Sequence, residues 1–177
     1  SQGYYPIKGL HYMLEAISDI RQLYPDVRLR VAGGVSLNNA GLKNRLKQKN
    51  YQRYLAELIE KYSLAGCVEF LPPLKADEMK KMYLKSNVFV SPSSIENSPN
   101  SLGEAMMLGV PCVSSLVGGV GNMLINGAEG FTYQHDAPYM LAYYVMEIFR
   151  LQKENRQQLA DMTDMAHSHA MRLFYSE

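Results

Sequence analysis

The stretch Asn87–Ser115, NVFVSPSSIENSPNSLGEAMMLGVPCVSS, limits the possible folds of this chain more than any other. It reads as strand, loop, helix, strand. Val88 to Val90 is short and apolar, and Ser91 to Asn100 is crowded with Ser, Pro and Asn. Ser101 to Leu108 follows a helical pattern that Gly109 stops, and Val110 to Val113 is the next buried strand. Strands alternate with helices elsewhere too, with no repeat, low-complexity segment or internal linker. That alternation predicts an α/β fold in which helices cover both faces of a parallel sheet.

Glu96 and Glu104 stand on either side of the helix start, one in the loop and one about a turn into the helix. Both can face a ligand over the helix N-terminus. The first N–H groups there lack intrahelical acceptors and the dipole is electropositive, so a phosphate can dock. Pro99 suits a first helical position, with Ser98 as the cap before it. A second reading makes Ser101-Leu-Gly-Glu104 a capping box, with Glu104 satisfying only a backbone N–H. The polar loop before the helix favours the ligand, because such loops mark the crevice of open α/β sheets.

Glu96 and Glu104, with seven residues between them, are followed by Ala105-Met106, Gly109-Val-Pro111, Val113 and then Gly118-Gly119. With Pro92-Ser93 and Pro99, this run resembles the signature of retaining GT-B glycosyltransferases of family 4, the group 1 glycosyltransferases. The resemblance covers Ser1 to about Arg150 and implies a Rossmann-like sheet, the C-terminal, donor-binding half of a GT-B fold. The expected layout is a donor-binding core over 1–150 and a C-terminal helical segment over 151–177. The first strand and an N-terminal acceptor domain are expected to be absent from this chain, which reads as an excised domain.

The composition narrows the partners. At 177 residues the chain has the size of one ordinary domain, and 18 Lys+Arg against 17 Asp+Glu leave a net charge of +1. That balance gives no reason to expect nucleic acid. Cys67 and Cys112 lie in apolar, strand-like surroundings and read as buried free thiols in a reducing, cytoplasmic compartment. No apolar run approaches the roughly 20 residues that span a bilayer. The tract Asn39–Ser63 is helical and basic on its outer faces, which reads as a solvated face, with a membrane surface as the alternative.

The remaining elements follow in order. Leu10, Met13, Leu14, Ile17 and Ile20 predict a helix ending near Tyr24-Pro25, and Val27 to Ala32 a strand ending at Gly33-Gly34. Val68 to Leu71 is a strand and Asp77 to Ser86 a helix that packs Met79, Met82, Tyr83 and Leu84. A short helix ends at Asn126-Gly127, Gly130 to Tyr133 is the last strand, and Asp136 caps a helix over Ala137–Leu151. Gln152 to Phe174 reads as an exposed terminal helix, whose His167 and His169 lie on different faces and suggest no metal site. His11 and His135 read as structural or exposed.

The resemblance implies transfer of a sugar from a UDP-, GDP- or ADP-linked donor to an acceptor, with retention and without a metal or other cofactor. Lys8, before the first helix, matches a family cation that holds the donor diphosphate; its usual arginine partner falls on Gln2, beside Gly3. Glu96 would lie against the donor sugar, and Glu104 would accept hydrogen bonds from the ribose diol. Ser98, Asn100, Ser101 and Leu102 would meet the phosphates at the helix start. Gly33, Gly34 and Leu74 would come close to the donor, although Pro72 replaces a usual glycine beside the base. Two other readings remain open: a nucleotide-sugar epimerase built on the same platform, and a non-catalytic nucleotide-sugar-binding module.

Overall fold

The computed structural model describes residues 5–33 and 50–175. Helix α1 spans Leu10–Leu23 and buries Leu10, Met13, Leu14, Ile17 and Ile20, the face its periodicity predicts. It ends at Tyr24, since Pro25 has no N–H to continue the ladder. Strand β1, Leu29–Ala32, starts two residues later than Val27, whose N–H closes a turn onto the Tyr24 carbonyl. Helix α2, Asn50–Lys61, buries Leu55 and Leu58; the part of the expected tract before residue 50 lies outside the described residues. Strand β2 is Val68–Leu71, as expected.

Helix α3, Ala76–Leu84, begins where Glu78 accepts the Lys75 N–H at 2.8 Å. It buries Tyr83, but Leu84 is 59% exposed and is not core as its pattern suggests. Strand β3 (Phe89–Ser91), helix α4 (Asn100–Met107) and strand β4 (Cys112–Ser115) follow. Both strands start later than predicted, β3 by one residue and β4 by two. For β4 the reason is visible: the Val110 N–H goes back to the Ala105 carbonyl as the helix unwinds. Helix α5 (Val120–Met123), strand β5 (Phe131–Tyr133) and helices α6 (Pro138–Glu154) and α7 (Arg156–Tyr175) complete the chain. Helix α5 stops before Asn126-Gly127. Asp136 does not cap α6; its carboxylate accepts from the Gln134 amide instead, and Pro138 opens the helix.

Among the described residues all strand pairs are parallel, β1 with β2 and β3–β4–β5 as a second ladder. Two apolar clusters cover the two faces. One gathers α1, α2 and α6 over Val31 and Val113. The other gathers Tyr83 of α3 with Leu102, Ala105 and Met106 of α4, Val120 and Met123 of α5, and Ala166 and Ala170 of α7. This is the Rossmann-like, doubly covered parallel arrangement that the alternation predicts. Cys67 and Cys112 are buried free thiols, one in each cluster.

Helix α7 corrects the expectation of an exposed terminal helix. It buries Leu159, Met162, Ala166 and Ala170 and packs directly on α4. Truncating the fully buried Met106 of α4 would open a cavity in that contact. Met106→Ala is expected to cost about 2–5 kcal/mol in urea unfolding, with the m-value unchanged.

Candidate functional site

The site forms where the loops leave the carboxyl ends of the strands. Gly9 takes a left-handed φ of 69° and presses on the loop after β3, so close that a Cβ there would lie 1.8 Å from the Pro92 carbonyl oxygen. The Ser94 N–H donates to the Ile7 carbonyl at 2.7 Å. These contacts deliver Lys8 to Glu96: its Nζ lies 2.6 Å from Glu96 Oε1. The Ser93 hydroxyl donates to the same oxygen at 2.7 Å, and the Ser115 hydroxyl at the end of β4 fixes the Ser93 carbonyl at 2.5 Å.

The opposite side of the Glu96 loop is held by the glycine turn. Gly118, at φ 52°, leaves no room for a side chain: a Cβ would sit 1.6 Å from the Glu96 carbonyl oxygen. The Gly119 N–H donates to the Asn97 carbonyl at 2.8 Å. Three segments distant in sequence, 5–9, 92–99 and 118–119, are thus stitched together around one carboxylate.

Helix α4 starts differently from the prediction. Pro99 is the cap position, in extended conformation (ψ 105°), and no side chain caps the helix. Its carbonyl accepts the N–H groups of Leu102 and Gly103, at 2.9 and 3.4 Å. Ser98 is therefore not the cap and Pro99 is not the first helical residue. The Leu102 N–H is already used, and its side chain is fully buried. The N–H groups of Asn100 and Ser101 come before the first intrahelical bond and are open to a ligand. Lys8, Glu96, Ser98, Asn100 and Ser101 line a single cavity.

Glu104 is exposed one turn into α4. The capping-box reading does not hold, because Ser101 is the second helical residue and not the cap. Glu104 instead accepts the Tyr83 hydroxyl at 3.2 Å, which orients the carboxylate from the neighbouring helix. Burial, followed by the negative charge of Glu104, raises the pKa of the Tyr83 phenol well above its ordinary value, so it remains a donor. Gly33 and Leu74 follow β1 and β2, but neither lines the cavity that holds Lys8 and Glu96. Gln2, Gly3 and Gly34 lie outside the described residues. Among the described residues no group of His, Cys, Asp and Glu gathers into a metal-binding set.

Sequence reasoning missed the residues behind the site. Tyr83 carries no motif that marks it as a partner of Glu104. His167 donates from Nδ1 to the Met107 carbonyl at 2.8 Å, at the carboxyl end of α4 where a donor complements the dipole. His169 Nδ1 lies 2.8 Å from the buried Glu129 carboxylate, which also accepts the Ile125 N–H. The Phe174 ring packs over Gly103, where a Cβ would lie 2.4 Å from it. His167 and Phe174 of α7 thereby anchor the helix that presents the site, and His169 ties α7 to the segment after α5.

Residues 3–163 match the family described as glycosyl transferases group 1. The chain belongs to the group 1 glycosyl transferases. It is 29% identical over 168 residues to D-inositol 3-phosphate glycosyltransferase of Corynebacterium urealyticum, covering 94% of this chain and 37% of that protein. It therefore spans little more than a third of that curated relative. The fold is shared with the sucrose-phosphate synthase of Thermosynechococcus elongatus, at a TM-score of 0.78 and 22% identity over 97% of this chain and 39% of the other. Anabaena HepE in complex with UDP-glucose also matches at 0.78 and 22% identity, covering 96% of this chain and 42% of HepE. What these neighbours share with the chain is its Rossmann-like fold of parallel strands between helices.

The clamp on the Glu96 loop gives a direct test. Gly118→Ala both strains a left-handed backbone and collides with the Glu96 carbonyl. It is expected to lose about 1–3 kcal/mol in chemical denaturation. Gly66→Ala, where a Cβ would meet nothing within 4 Å, should stay within about 1 kcal/mol of the parent.

Proposed function

We propose that this chain is the donor-binding half of a GT-B enzyme that transfers a sugar from a nucleotide-diphosphate sugar with retention of configuration. The observation that carries the reading is the meeting of Lys8, Glu96 and the open N–H groups of α4 in one cavity at the strand ends. Charge develops on the departing diphosphate. Lys8 and the N–H groups of Asn100 and Ser101 form a preorganised positive site for it, which lowers the barrier without a metal.

Glu96 lies between that positive site and the glycine turn. In this reading its carboxylate orients hydroxyls of the donor sugar and favours positive charge at the anomeric carbon. It is not assigned as a nucleophile, since a second carboxylate across the scissile bond is part of the double-displacement arrangement. Glu104 accepts the two ribose hydroxyls, and Tyr83 holds it in the orientation that does so. The HepE complex with UDP-glucose makes UDP the first nucleotide to test. The acceptor and the remaining catalytic groups belong, in this reading, to polypeptide outside residues 1–177, so the isolated chain binds donor and transfers nothing.

Calorimetric titration with UDP, GDP and ADP tests the donor site. One nucleotide should bind, and Glu104→Ala should weaken it at least about tenfold, as expected for loss of hydrogen bonds to a charged group. Tyr83→Phe should weaken the same nucleotide by a smaller factor. An unchanged affinity in Glu104→Ala would contradict the ribose assignment.

A further inference from the structure

Lys8 is both the cation of the candidate site and the partner of its carboxylate. Its Nζ lies 2.6 Å from Glu96 Oε1, and the Ser93 hydroxyl donates to the same oxygen at 2.7 Å. Both side chains are largely withdrawn from solvent, so their charges are screened less than those of a surface pair. The backbone beneath both is fixed. Gly118 presses on the Glu96 carbonyl, the Asn97 carbonyl accepts the Gly119 N–H, and the Ser94 N–H holds the Ile7 carbonyl, one residue ahead of Lys8.

Asn100 and Ser101 line the same cavity as this pair. An anion on their N–H groups therefore meets a cation whose charge is already balanced. An ammonium has several N–H donors, so Lys8 can hold a phosphate and still keep Glu96. The carboxylate then stands beside the phosphate as a like charge, which disfavours binding. Hydroxyl donors that the ligand brings to the carboxylate offset that repulsion. A sugar joined to the diphosphate brings them, and a nucleoside diphosphate alone does not.

We propose that Glu96 is a specificity residue: by sharing Lys8 with the phosphates, it favours the sugar-bearing donor over the nucleoside diphosphate left after transfer. The inference rests on the donor reading above and adds to it the selection between donor and spent nucleotide. In that transfer the bond between the anomeric carbon and the β-phosphate oxygen breaks. The acceptor oxygen takes the sugar and releases its proton, and the electron pair stays on the β-phosphate oxygen. The leaving nucleotide thus gains one negative charge as Glu96 loses its hydroxyl partners. Both changes favour release, and Lys8 returns to balancing Glu96 alone. Glu104, assigned to the ribose that donor and spent nucleotide share, gives no such preference.

Calorimetric titration of the whole 177-residue chain with UDP, GDP and ADP, as parent and as Glu96→Gln, tests this. Glutamine keeps the length of the side chain and an oxygen for the Ser93 hydroxyl while removing the charge. The nucleotide that binds the parent is expected to bind Glu96→Gln about fivefold or more tighter, with a smaller gain at about 0.5 M salt. Glu96→Ala should shift affinity in the same sense and Glu104→Gln in the opposite one, with Tm confirming that each variant is folded. Unchanged or weaker binding by folded Glu96→Gln and Glu96→Ala would overturn the proposal and leave the donor reading standing. Equal tightening in Glu104→Gln would mark a bulk charge effect and overturn it as well. No binding by parent or variants would overturn the donor reading, and this proposal with it.

Discussion

The Lys8–Glu96 contact is the interaction on which the candidate site depends. Glu96 is reached from Lys8 in the segment before α1, from Ser93 within its own loop and, through its backbone, from the Gly118–Gly119 turn. Its stabilising value is modest, since both side chains keep some exposure and such pairs contribute little to stability in water. Its effect is positional. A cation that would otherwise oppose the N-terminus of α1 is instead held across the loop, beside the start of α4.

That start is presented by a helix held from behind. Leu102, Ala105 and Met106 seat α4 in the second apolar cluster, while His167, Ala170 and Phe174 of α7 fasten its far side. Tyr83 then sets the carboxylate that projects from its exposed face. A ligand at the N–H groups of Asn100 and Ser101 would meet a surface already in place, so little ordering would be charged against binding.

Much of this was legible in the residues because it is local. The helical spacing of Leu10 to Ile20 and the turn at Gly109 depend on neighbours a few positions away. The spacing of Glu96 and Glu104 across a helix start is equally local. Strand starts shifted by one or two residues where a turn or a fraying helix took the first N–H, as at Val27 and Val110. What sequence spacing could not supply was contact across elements: Tyr83 with Glu104, His169 with Glu129, and Phe174 over Gly103. The caps expected from Ser98 and Asp136 also failed: the Pro99 carbonyl accepts the Leu102 and Gly103 N–H groups, and the Asp136 carboxylate accepts from the Gln134 amide.

The most direct measurement is a backbone amide NMR titration of the chain with UDP and with the other nucleoside diphosphates. The account predicts that the largest perturbations from the nucleotide that binds fall on Lys8, Glu96 and the amides of Asn100 and Ser101, spreading to Tyr83 through Glu104. Saturable binding whose perturbations centre elsewhere, on the outer face of α2 or along α7, would contradict it.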